Sequence, residues 1–112
     1  MPVRSLHSPV LKWPSRESVL AGAEAWARAL RAREARVVRV GYFGSYARDD
    51  AGVGSDLDLV VIVRESADAC LFDVSRLPVP ADVLVFEETR WARMSAEPTG
   101  IARTIAREAK WF

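Results

Sequence analysis

The sequence predicts a small α/β (α+β) protein in which a short mixed β-sheet packs against helices. Three observations predict it. Apolar runs rich in β-branched and aromatic residues recur at Val37-Val38-Arg39-Val40-Gly41-Tyr42-Phe43, Leu59-Val60-Val61-Ile62-Val63 and Val83-Leu84-Val85-Phe86. Apolar residues recur at helical spacing before the first run and after the last. Turn-forming residues punctuate the gaps. With 112 residues, the chain has the length of one domain with one core. We expect an irregular leader over residues 1–14 and a single domain over 15–112.

Three prolines leave the leader without regular structure, docked through Val10, Leu11 and Trp13. Ser15 is a plausible N-cap with Glu17 in the first turn, and Val19, Leu20, Ala23, Trp26, Ala27 and Leu30 form the inner face of a helix to about residue 34. Trp26 is read as core. Residues 36–43 make the first strand, and Gly44-Ser45 ends it by starting a short helix through Arg48. The Asp49-Asp50-Ala51-Gly52-Val53-Gly54 segment is a loop. Residues 57–63 read as a central strand covered on both faces. A short helix or turn is expected near residues 67–71, with Pro78 and Pro80 breaking the chain before a third strand at 81–86. A helix follows over 87–96, with Trp91 and Met94 one turn apart. A last helix, capped by Ser95 or Thr99, carries an apolar stripe of Ile101, Ala102, Ile105, Ala106 and Ala109.

Composition excludes several chemistries. A formal net charge of +1 argues neither for nor against nucleic acid, because basic and acidic residues nearly cancel; direct nucleic-acid binding is not expected. The lone Cys70 allows no internal disulfide and fits a reducing cytoplasm. No apolar run reaches the ~20 residues of a membrane span. With His7 as the sole histidine, a Cys/His zinc site is excluded, and a Ser-His-Asp triad would need that leader residue. Gly52-Val53-Gly54 lacks the third glycine of a dinucleotide loop, and no Gly-Lys-Ser/Thr forms a phosphate loop.

Carboxylates, arginines and backbone remain. Asp56 and Asp58 open the second apolar run one residue apart, so in a strand they share a face at about 7 Å between Cα atoms. At that separation they repel by roughly 2 kcal/mol at an effective dielectric near 20. Filler residues do not carry such a cost, and the pair suits a shared divalent cation. Gly44 permits a phosphate to approach the backbone, while Ser45 and the amides after it offer donors. Arg48 is either a phosphate contact or a salt-bridge partner of Asp49 or Asp50. Tyr46 is read as packing.

Gly44, Ser45, Ala47 and Arg48, then Ser55-Asp56-Leu57-Asp58-Leu59 on a strand, then Asp82 opening a later strand, resemble the pattern of the polymerase-β-like nucleotidyltransferase superfamily. The similarity is greatest to its minimal nucleotidyltransferase (MNT) branch. It covers roughly residues 37–86, with one departure: Asp49 stands where the family usually has glycine. The resemblance implies a polymerase-β-like nucleotidyltransferase fold and a Mg²⁺-dependent transfer of a nucleoside monophosphate, AMP from ATP, to a hydroxyl. It implies catalytic and metal roles for Asp56, Asp58 and Asp82, the last as ligand of a second ion or as general base. Nucleotide contacts fall to Gly44, Ser45, Arg48 and Ser55. The acids alone suit phosphate hydrolysis equally well.

The resemblance further implies a partner. MNT proteins are commonly paired with a small helical HEPN protein in toxin–antitoxin systems, which casts this chain as a cytoplasmic antitoxin that modifies a partner hydroxyl. The alternative is a catalytically weak binding module that masks a partner by surface contact. The final stripe with Trp111 and Phe112 would then form that interface or a homodimer contact, unless these aromatics fold back on the core.

Overall fold

The computed structural model describes residues 13–65 and 72–112. His7, Cys70, Val10, Leu11 and the turn expected at 67–71 lie outside the described residues. The elements run α1 (Arg16–Arg33), β1 (Val37–Phe43), α2 (Ser45–Arg48), β2 (Leu57–Val63), β3 (Ala81–Glu87), α3 (Glu88–Ser95), α4 (Ile101–Glu108) and β4 (Lys110–Trp111). The sheet order is β3-β2-β1-β4, with β2 parallel to β3 and the other two pairings antiparallel.

Alternation along the strands sorts the core into two layers. On one face Leu57, Leu59, Val61 and Val63 of β2 and Val37 and Val40 of β1 meet the α1 stripe of Val19, Ala23, Trp26, Ala27 and Leu30. On the other, Val60 and Ile62 meet Trp91 of α3 and Ala102 and Ile105 of α4. β2 is therefore buried on both sides, which explains why its sequence is apolar throughout except at Asp58. Each fully buried Leu, Ile or Val contributes roughly 1.5–3 kcal/mol through the water it leaves.

α1 begins as its sequence requires. Ser15 is extended and its Oγ accepts from Ser18 N–H at 3.1 Å. Trp26 lies in the core and donates its indole N–H to Asp73 O at 2.8 Å. Tyr46 is 2 % exposed, a packing residue as expected. Trp13 packs against the α1-side core, the one leader contact described.

The C-terminal part corrects two expectations and decides between two alternatives for the terminal aromatics. α4 is capped by Gly100, not by Ser95 or Thr99. Its stripe shrinks to Ala102 and Ile105, with Ala109 partly packed, because Ile101 and Ala106 face solvent. Trp111 and Phe112 fold back onto the sheet. Trp111 pairs with Gly41 as part of β4, and Phe112 N–H donates to Val40 O at 2.9 Å while its ring lies 5.4 Å from that of Tyr42. Gly41 makes this approach possible: a Cβ there would stand 2.7 Å from Trp111 Cε3 and 2.8 Å from Lys110 O. The Arg39 guanidinium closes the outer side of Trp111, 3.8 Å above its ring.

Candidate active site

The candidate site lies where β1 ends and β2 and β3 begin. Leu57 N–H donates to Pro80 O at 2.9 Å, which levels the starts of β2 and β3. Asp58 thereby pairs in register with Asp82, and on its other side with Phe43. Residues paired across a sheet share a face, so both carboxylates project on the side covered by α3 and α4. Asp56 precedes β2, which starts at Leu57. The strand alternation expected of it therefore does not strictly apply, yet its charge still reaches Asp58.

Burial holds the Asp58 carboxyl above the ordinary carboxylate range, and the charges of Asp82, Asp56 and Glu108 add to that push while Arg48 opposes it. Asp58 is half-buried, whereas Asp56 and Asp82 are exposed. The three acids thus form a negative patch open to solvent. Among the described residues no three His, Cys, Asp or Glu side chains are drawn together as a ready cation cage. Mg²⁺ does not require one, since it commonly takes one or two carboxylates and completes its shell with phosphate oxygens and water. The register-paired Asp58 and Asp82, whose charges repel, fit such a partial ligand set.

The turn after β1 faces these acids. Gly44 has φ 74° and ψ −149°, a region essentially restricted to glycine. A Cβ at this position would overlap Asp58 Oδ2. From Gly44 the chain enters α2, with Ala47 and Arg48 N–H both donating to Gly44 O at 3.0 Å. Ser45 is half-buried at the start of this turn. Ser55 closes the following loop: its Oγ accepts from Gly52 N–H at 2.9 Å, and its own N–H donates to Gly52 O at 3.0 Å.

Arg48 sits between acids. Its guanidinium lies 3.4 Å from Asp50 Oδ2 and 3.4 Å from Glu108 Oε1. Asp49 is not its partner. That residue takes the left-handed conformation at the end of α2 (φ 63°, ψ 34°), and its carboxylate turns to α1, where Oδ1 stands 3.0 Å from Arg16 Nε. A left-handed position suits glycine best, and aspartate is among the residues that tolerate it. Sequence reasoning missed Glu108, the last residue of α4, whose Oε1 accepts from Gly44 N–H at 2.8 Å. One signal was present: an acid in the last turn of a helix opposes the helix dipole and calls for another partner.

Comparison with known proteins agrees with the fold. A family model described as a nucleotidyltransferase domain matches residues 24–111. No curated protein matches the chain in sequence. Among solved structures the fold is similar to that of a Sulfolobus solfataricus protein that carries a provisional nucleotidyltransferase assignment, with a TM-score of 0.51 and 19 % identity over 70 % of this chain and 75 % of that one. At that identity the likeness speaks to the fold alone. The matched span contains both strands that carry acids and the turn that faces them, and on that match the chain belongs to the nucleotidyltransferase domain family.

Proposed function

We propose that this chain transfers a nucleoside monophosphate, AMP from ATP, to a hydroxyl of a partner protein, and that Asp56, Asp58 and Asp82 are its catalytic acids. The observation that carries the reading is the Asp58 carboxylate, packed against the side-chain-free Gly44 turn and paired in register with Asp82. Asp58 and Asp82, with Asp56 beside them, would hold Mg²⁺, which when bound offsets the repulsion between carboxylates and triphosphate. Gly44 lets a phosphate reach the backbone. Ser45 supplies hydroxyl and amide donors, Arg48 supplies charge, and Ser55 keeps the loop before Asp56 closed.

Where Asp56 and Asp58 hold the ion, the exposed Asp82 is left as the base that accepts the proton of the attacking hydroxyl. The hydroxyl oxygen forms its bond to the α-phosphorus as the bond to the β-phosphate breaks, and pyrophosphate leaves. An acid patch open on one side suits an acceptor that arrives on another molecule. By family resemblance that molecule is a small helical HEPN-type protein, which makes this chain the antitoxin of the pair. The masking-module alternative loses part of the surface it relied on, because Trp111 and Phe112 are packed against this chain's own sheet, while Ile101 of the final helix stays exposed.

Incubation with labelled ATP, Mg²⁺ and the helical partner tests the proposal. Label should appear on the partner, and Asp58→Asn should reduce transfer about a hundredfold or more, the scale of losing one preorganised electrostatic group. Folded protein that moves no label from any nucleoside triphosphate, or an Asn variant as active as its parent, refutes it.

A further inference from the structure

Glu108 touches the two groups that the proposed function assigns to the nucleotide's phosphates. Its Oε1 accepts from Gly44 N–H at 2.8 Å, and both of its oxygens lie 3.4 Å from Arg48 Nη1. A backbone N–H beside a guanidinium is the donor set that proteins present to phosphate oxygens. A carboxylate offers the same acceptor chemistry. We propose that Glu108 is an internal competitor for the phosphate seat, and that the triphosphate binds by taking the Gly44 amide and the Arg48 guanidinium from it. The inference rests on the nucleotide reading of the site and adds to it a residue that sets affinity.

The surroundings favour exchange over a fixed brace. α4 is anchored through Ala102 and Ile105, and its end is closed by Ala109 N–H donating to Ile105 O at 2.8 Å. The Glu108 backbone is therefore held, while its side chain has three torsions with which to swing away. Only the amide contact is short; the two to Arg48 are long, and Arg48 already has Asp50 as a second partner. The Glu108 side chain is 23 % exposed, so solvent reaches it from one side. Its charge also adds to the repulsion that Asp58 meets from Asp82 and Asp56. Four acids thus stand close enough to repel at Asp58, and Arg48 is the cation that opposes them there. A triphosphate that arrived while Glu108 kept its place would meet all four, and displacing Glu108 toward water removes the one that occupies the donors.

Calorimetric titration of ATP with Mg²⁺ into the parent protein and into Glu108→Gln tests this. Glutamine keeps the size and an acceptor oxygen but holds the amide and the guanidinium less strongly. The variant should bind about tenfold tighter, the equivalent of releasing one charge-assisted hydrogen bond. A thermal melt establishes that it is folded. If it is not, Glu108→Asp, which withdraws the carboxylate by one methylene, should shift affinity in the same direction. Parent protein that binds ATP while the folded variant binds it equally or more weakly overturns the inference and makes Glu108 a brace for the turn. Absence of ATP binding in both proteins overturns the nucleotide reading itself, and the competitor with it.

Discussion

Gly44 and Asp49 stand at the two ends of the one-turn helix α2, and both carry the chain through positive φ, 74° and 63°. Their demands differ. Gly44 combines that φ with ψ −149°, where side-chain-bearing residues scarcely occur, and the space its Cβ would fill belongs to the Asp58 carboxylate. Asp49 has ψ 34°, the ordinary left-handed well, and its side chain extends away from the acids toward Arg16. The same sign of φ is thus a requirement of the site at one end and a matter of backbone shape at the other. Glycine at both positions would hide this distinction, and the aspartate in this chain exposes it.

The comparison is broken most directly at Gly44. Gly44→Ala should abolish monophosphate transfer and lower the unfolding free energy by about 1–3 kcal/mol, the usual cost of forcing a side chain into such a conformation. Denaturant unfolding and the labelled-ATP assay read the two effects. An Ala variant that kept both stability and transfer would show that Gly44 and Asp49 are equivalent after all.

Asp58, the neighbour that makes Gly44 obligatory, gives the next largest effect. Its folded-state pKa is raised, chiefly by burial and then by Asp82 and Asp56. The native state therefore holds this proton to higher pH than the unfolded chain does. The stability linked to this group is present below its ordinary value of 3.8 and is lost as pH rises through the raised one. At neutral pH the ionised Asp58 is a net cost to the fold. Asp58→Asn should consequently melt modestly higher than the parent at pH 7, with the gap closing as pH falls below 3.8. Added Mg²⁺ should raise the parent's melting temperature more than the variant's. An Asn variant that melts lower at pH 7 would mean that Asp58 is a structural partner and not a strained site acid.

How much of this was legible in the sequence depended on range. Ser15 and the α1 stripe announced a helix because caps and 3.6-residue spacing are local signals. The apolar run from Leu59 to Val63 gave β2 as the doubly covered strand. The Gly44-Ser45 turn and Asp58 were visible because turn chemistry and strand alternation are local too. β4 was not: two residues cannot display a period, and only Gly41, a glycine inside a strand, hinted that another backbone must come close. Trp111 and Phe112 were ambiguous for the same reason, since an aromatic chain end looks alike whether it folds back or faces a partner. Ile101 and Ala106 misled because spacing identifies a stripe without saying how wide a surface awaits it. Glu108 carried one local signal, an acid at the wrong end of a helix, but its partner was not legible because the contact spans 64 residues of sequence.

The smallest effect falls at the other end of α2. Asp49→Gly removes a side chain from a left-handed position, which by itself favours the native state by up to about 1 kcal/mol. It also removes the contact with Arg16, which stands 3.0 Å away without hydrogen-bond alignment and joins an Asp49 side chain that is 77 % exposed. Exposed pairs of this kind contribute about 0–1 kcal/mol, so the two changes nearly cancel. The melting temperature should stay close to the parent's and the rate of transfer should be unchanged, because the Asp49 carboxylate points at α1 and not at Asp58. A gain in transfer above about tenfold would show that Asp49 repels the nucleotide from where it stands. The aspartate would then be a brake on the site, and the functional contrast between the two ends of α2 would disappear.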